Sequence, residues 1–159
     1  PLIDPEYPNP HSAGAMVAFK VAWGIADRYK TDAKMPTELR EFLLHATTLA
    51  GMGTIADVVD IRGENRVLAG YGLKALEESN LAGIKALMHT AELSDKGLNS
   101  YHIAFVLAPM LNAAGRMGHA RLAVELLTTE NEYRAMQIAQ YLKDQNRQRR
   151  KELEESTRR

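Results

Sequence analysis

Apolar residues recur along this chain at spacings of three and four, the period of a helix face, and nowhere alternate as a half-buried strand would. Met16, Phe19, Trp23 and Ala26 make one stripe, and Val17, Val21 and Ile25 a second. A helix apolar on two sides is expected to be buried. Pro36 and Thr37 mark the next start, because the first helical turn has no use for the N–H that proline lacks. Leu39, Phe42, Leu43, Ala46 and Leu49 then share a face, which Gly51 and Gly53 are expected to interrupt. Glu64 and Asn65 open a third helix, with Val67, Leu68, Tyr71 and Ala75 on one side. Asn80 is expected to cap a fourth, along which Leu81, Ile84, Leu87, Met88 and Ala91 line up. Beyond a polar turn containing Gly97, the short apolar run from Tyr101 to Leu107 reads as a helix capped by Ser100, with Pro109 disturbing the backbone.

A weak helix follows Ala120, and residues 128–132 read as a stop and a restart. From Glu132 to about Glu155 there is neither proline nor glycine, and Ala135, Ala139, Leu142, Asn146, Arg149 and Leu153 recur at helical spacing. The pattern predicts one long helix, packed at its start and solvated towards its polar end. The fold class is therefore mainly α.

Four of the six prolines fall within the first ten residues, so residues 1–12 read as an extended linker. The chain opens on Pro1 and reads as one entered in the middle, an internal piece of a larger protein. Its 159 residues suit one domain, or one and an appendage. An apolar fraction of 45% and a charged fraction of 25% are globular values. Twenty basic residues balance twenty acidic ones, which excludes a chain coated in positive charge but leaves room for a local basic patch. The absence of cysteine removes disulfides, thiolate metal sites and cysteine nucleophiles, and it fits a reducing compartment, the cytoplasm. No apolar run approaches the ~18 residues of a membrane span.

Few residues offer chemistry. No two of His11, His45, His89, His102 and His119 have the spacing of four that pairs imidazoles on a helix face as metal ligands. Gly51-Met52-Gly53 superficially matches a dinucleotide fingerprint, but an amphipathic helix stands where that fingerprint needs a strand. Asp57 lies among apolar residues in Ala56-Asp57-Val58-Val59. Two readings of it stay open: a helix cap or solvated carboxylate, and a metal ligand whose cation offsets the cost of desolvation. In Asn112-Ala113-Ala114-Gly115-Arg116-Met117-Gly118 the small residues let a ligand approach the backbone, and Arg116 sets a guanidinium beside amides, which suits a phosphate. A tight inter-helix turn with a surface arginine explains the same residues. Arg147, Arg149 and Arg150 could lie along a nucleic-acid backbone, or simply face solvent.

The order of these pieces is informative. The run from Gly53 to Val59 is followed by Gly63-Glu64-Asn65-Arg66-Val67-Leu68, then Tyr71-Gly72-Leu73-Lys74-Ala75-Leu76, Pro109, the run from Asn112 to Gly118, Ala123-Val124-Glu125-Leu126-Leu127, and Asn146-Arg147 with Arg149. In this order they resemble the DHH phosphoesterase family, in its branch of single-strand-specific 5′→3′ DNA exonucleases. The segment from Ala13 to Lys20 is also similar to the helix that follows the family's catalytic motifs.

The resemblance implies the helical C-terminal part of a DHH-type catalytic domain over residues 13–127. It implies a long connector helix with a basic tail over residues 128–159. It further implies hydrolysis of phosphodiester bonds with two divalent ions, Mn2+ or Mg2+. Asp57 would be a metal ligand, Asn112, Gly115 and Arg116 would meet DNA near the scissile phosphate, and the partners would be single-stranded DNA and the rest of the parent polypeptide. The family's Asp-His-His motif, its earlier aspartate-rich motif and its second domain are absent, and Met110 stands where the family commonly has arginine. This chain alone is therefore expected to be inactive, to bind no metal and, with apolar surface uncovered, to be able to self-associate. The competing expectation is a non-catalytic helical module that binds nucleic acid or another protein.

Overall fold

The computed structural model describes residues 6–30, 34–94, 96–116 and 120–157, with the side chain of Arg116 outside that description. No element among the described residues is a strand, and no helix among them is long and apolar enough to cross a membrane. The chain divides between Ser79 and Asn80 into two compact units.

The first unit holds helices α1 (Gly14–Asp27), α2 (Thr37–Ala56) and α3 (Gly63–Glu77), with α2 packed against both others. Pro36 stands at the α2 N-cap, as its chemistry suggests. Gly51 and Gly53 do not interrupt α2, which runs on to Ala56. They are where other helices come close. A Cβ on Gly51 would meet the Gly72 Cα of α3 at 2.5 Å, and one on Gly53 would meet the side chain of Ala15. Contact of that closeness outweighs the ~1 kcal/mol by which glycine disfavours a helix.

The same small residues decide which faces are buried. On α3 the buried stripe is Asn65, Leu68, Ala69, Gly72 and Leu76, while Val67 and Tyr71 are exposed. The face of Val67 and Tyr71 predicted to pack is thus the outer one. On α2 burial falls on Thr48, Ala50, Gly51, Met52, Thr54 and Ile55, leaving Phe42 exposed. Nor is α1 buried on two sides. It buries Met16 and Ala26, whereas Val21, Trp23 and Ile25 are each more than half exposed. Met16, Phe19, Trp23, Leu44, Val67 and Tyr71 instead line an open groove of about 490 Å³.

The second unit holds α4 (Ala82–Thr90), α5 (Ser100–His102), a π-helical turn (Ile103–Leu107), α6 (Ala108–Arg116), α7 (Ala120–Thr128) and α8 (Glu132–Thr157). Helix α8 packs on α4, α6 and α7. Ile84, Leu87, Ile103, Leu107, Leu126 and Leu142 are fully buried. Gly83 permits the approach of α4 to α7, because a Cβ there would run into the Leu126 carbonyl.

Two caps fall one residue from their predicted places. Leu81, not Asn80, precedes α4. Asn99, not Ser100, caps α5: its Oδ1 accepts from His102 N at 3.1 Å while His102 Nδ1 accepts from Asn99 N at 3.3 Å. This reciprocal pair satisfies two amides that a helix start leaves unpaired.

Pro109 disturbs the backbone as predicted. It has no N–H for the carbonyl of Phe105, four residues earlier, and the wider π turn lies just before it. Arg150 of α8 supplies the missing donor, its Nη2 standing 3.2 Å from the Phe105 carbonyl. Helix α8 follows its prediction closely. Ala135, Ile138, Ala139, Leu142 and Asn146 are buried, and residues 150–157 are exposed.

Candidate functional site

Asp57 is the C-cap of α2, its N–H donating to the Gly53 carbonyl at 3.0 Å. The next residue, Val58, turns the chain out of the helix with φ 52°. Asp57 is exposed, so the desolvation that would call for a cation does not arise in this chain. A different argument applies. A helix C-terminus carries a partial negative charge, and a carboxylate there adds to it. Nearby Asp60 pairs with Arg62 Nε at 3.4 Å, whereas Asp57 enters no ion pair among the described residues. The result is a carboxylate with no ion-pair partner among the described residues, at the end of a 20-residue helix. It suits a cation as one ligand among several. Among the described residues no three histidine, aspartate or glutamate side chains are placed to hold a metal together.

Residues 112–116 are the last turn of α6 rather than an inter-helix turn. Their amides therefore point back into the helix, so the exposed-amide part of the phosphate reading has no counterpart here. What the segment can offer a phosphate is side-chain donors and open space. Asn112 and Gly115 are exposed, and a Cβ built on Gly115 meets nothing within 4 Å. Ala113 and Ala114 are buried and serve the packing of α6. Met117 and Gly118 lie outside the described residues. Met110, where the resemblance has arginine, is buried at 3% exposure, so that position presents no charge to solvent.

Helix α8 carries the other cations, and α6 packs against it. Arg147 is exposed. Arg149 is half-buried, with a buried Nε that has no hydrogen-bond partner among the described residues and an Nη2 that reaches Asn146 Oδ1 at 3.5 Å. Arg150 is committed in part to the Phe105 carbonyl. Asp57 belongs to the first unit and the other candidates to the second.

One group of residues escaped the sequence reading. Asn65, 1% exposed, donates through Nδ2 to the carbonyls of Asp60 (2.8 Å) and His11 (2.9 Å), and its Oδ1 accepts from Asn9 Nδ2 at 3.0 Å. Beside it, Lys20 Nζ reaches Glu64 Oε2 at 2.7 Å and lies 5.6 Å from the centroid of the Tyr7 ring. The hydrogen bond from Lys20 holds the Glu64 carboxyl below its ordinary range, and the same bond raises Lys20. A signal was present: Asn65 sits in register with Leu68, Ala69, Gly72 and Leu76, a polar residue on a buried stripe.

Among known proteins this scaffold has counterparts in the single-stranded-DNA-specific exonucleases. The particular relative is RecJ. The chain is 35% identical over 151 residues to RecJ of Bacillus subtilis, covering 95% of this chain and 18% of that protein. It is 33% identical to RecJ of Haemophilus influenzae, covering 93% and 26%. The crystal structure of RecJ from Thermus thermophilus in complex with Mn2+ superposes with a TM-score of 0.80 at 32% identity, over 99% of this chain and 22% of that one. A crystal structure of exonuclease RecJ bound to manganese gives 0.79 over 99% and 37%. No family model matches. In sequence and in fold the chain is similar to a segment of RecJ, and it spans about a fifth to a quarter of the length of these curated relatives.

Proposed function

We propose that this chain is a segment of a metal-dependent exonuclease that hydrolyses single-stranded DNA from its 5′ end, in DNA repair and recombination. The observation that carries the reading is the match to RecJ along nearly the whole chain, in sequence and in backbone alike. Asp57 would be one ligand of a divalent cation, Mn2+ or Mg2+, with the remaining ligands supplied by the rest of the polypeptide. Two such cations would supply the charge that activates a water and stabilises the attacking and leaving oxygens of a phosphodiester. Asn112 and Arg116, beside the open surface at Gly115, would hold the DNA phosphate by side-chain hydrogen bonds and charge. Arg147, Arg149 and Arg150 would lie along the strand's backbone, and α8 would connect the catalytic domain to a further one.

Three measurements test this. In the longer polypeptide, numbered as here, Asp57→Asn should nearly abolish turnover while leaving the fold intact, because an amide cannot replace the charge that faces a cation. Normal activity with Mn2+ would remove Asp57 from the ligand set. Arg116→Ala should weaken binding to all single-strand sequences alike and flatten the salt dependence by about 0.7 of a unit, the loss of one phosphate contact. An unchanged slope would make the side chain structural. The 159-residue chain alone, given Mn2+ and a 5′-labelled strand, should bind weakly and leave the strand uncut, since one carboxylate cannot enclose two cations. Cleavage that copurifies and disappears in Asp57→Asn would mean that the chain completes a site by itself.

A further inference from the structure

The connection from Asp57 to Arg62 is fixed by a side chain outside it. Asn65, in the first turn of α3, uses both amide protons and one acceptor position, and its partners come from two separate stretches. Asp60 lies three residues beyond Asp57 in the connection. Asn9 and His11 lie in the segment before α1, more than fifty residues away in sequence. Asn9 Nδ2 adds a contact to Glu64 Oε2 at 3.3 Å, and Lys20 meets that same oxygen. The connection needs such restraint, because it leaves α2 through Val58 at φ 52°, a conformation that β-branched residues avoid. A backbone held there needs support from its surroundings, and the buried Asn65 amide anchors the connection two residues further on, at the Asp60 carbonyl.

We infer that Asn65 is a positioning residue: it locks the Asp57–Arg62 connection to the segment before α1 and so fixes where the Asp57 carboxylate stands. The inference rests on the ligand role proposed for Asp57, but the cross-link itself can be read without it. Asparagine is required because the site needs two donors and an acceptor at the reach of a short side chain. Aspartate keeps the volume and sets oxygens against two carbonyls. Alanine removes every bond.

The first test is hydrogen exchange on this chain with Asn65→Ala and Asn65→Asp. Exchange should accelerate roughly tenfold or more in residues 9–12 and 58–62, the loss of hydrogen bonds of ~1 kcal/mol each, with α4 to α8 unchanged. Unchanged exchange in both stretches overturns the cross-link, and so does unfolding of α1 to α3 in both variants, which would make Asn65 a core residue of the unit. The second test is Mn2+ titration of the longer polypeptide. Residues that orient metal ligands typically change metal affinity by about 10–100-fold. Asn65→Asp should therefore raise the half-saturating Mn2+ concentration by about that factor, and activity should recover at saturation, whereas Asp57→Asn should not recover. An unchanged Mn2+ requirement with accelerated exchange overturns the positioning role. Full activity of Asp57→Asn, by contrast, would strike the ligand assignment while leaving the exchange result to judge the cross-link.

Discussion

Val58 is the residue at which local energetics and geometry disagree most. Leaving a helix in the left-handed region costs an L-residue about 1–2 kcal/mol, and glycine usually takes that place. Val58 is also 78% exposed, so its side chain recovers little by packing. Val58→Gly should therefore stabilise the first unit by about 1 kcal/mol, less the entropy glycine adds to the unfolded chain, as a shift of the urea midpoint will show. The Lys20–Glu64 pair gives a pH signature. Glu64 is held below its ordinary value of 4.5, so the pair's contribution is present above that value and lost as pH falls through the lowered one. Both side chains are partly solvated, so screening keeps the effect to about 0–1 kcal/mol. Lys20→Met should lose less stability than the parent between about pH 6 and pH 3, by urea unfolding. At this scale the sequence was legible where a residue acts through its own backbone position, as Pro36 does at the start of α2. Asn65 was not, because its partners are brought to it only by folding.

The elements were the most legible part, since period and capping are local. Apart from two caps placed one residue off, the errors came where a tertiary contact overruled them. Glycines in α2 read as breaks and are helix crossings, and exposed Val67 and Tyr71 read as the packed face because they recur at helical spacing with Leu68 and Ala75. Two details at element scale can be tested. Arg150→Met should cost about 0.5–1.5 kcal/mol by leaving the Phe105 carbonyl without its donor. That cost should shrink when Pro109→Ala restores a backbone N–H, and a double-mutant cycle measures the difference. At the end of α4, Glu92 takes φ 61°, with Leu93 N donating to Met88 O and Glu92 N to His89 O, the bonding of a Schellman turn. Lys143 binds both the Thr90 carbonyl at 2.7 Å and the Glu92 carboxylate at 3.2 Å. Glu92→Gly thus trades backbone relief against an exposed ion pair.

At the scale of the molecule, the first unit leaves Trp23, Val67 and Tyr71 exposed along its groove, and Val21, Ile25 and Phe42 exposed outside the groove lining. A face of that composition needs cover, which the rest of the proposed polypeptide would provide. Purified alone, the chain should self-associate with rising concentration in sedimentation runs, and Val67→Glu should shift it towards monomer. Concentration-independent sedimentation of the parent chain would show the face to be tolerated by water. The candidate site was legible only as scattered members. Asp57, Asn112 and the arginines were visible by residue type, whereas the packing that buries Met110 and half-buries Arg149 is encoded in no local pattern.

The Gly51–Gly72 crossing also governs how this sequence can drift. Most packed pairs can exchange volume over generations, one side shrinking as the other grows, so a harmful change at one position opens a path at the second. Here both partners are already at the smallest size available, and an added Cβ on either meets the other's Cα at 2.5 Å. No substitution at one can compensate for a substitution at the other. The two positions should behave as a single inherited character, fixed together or abandoned together with the spacing of α2 and α3.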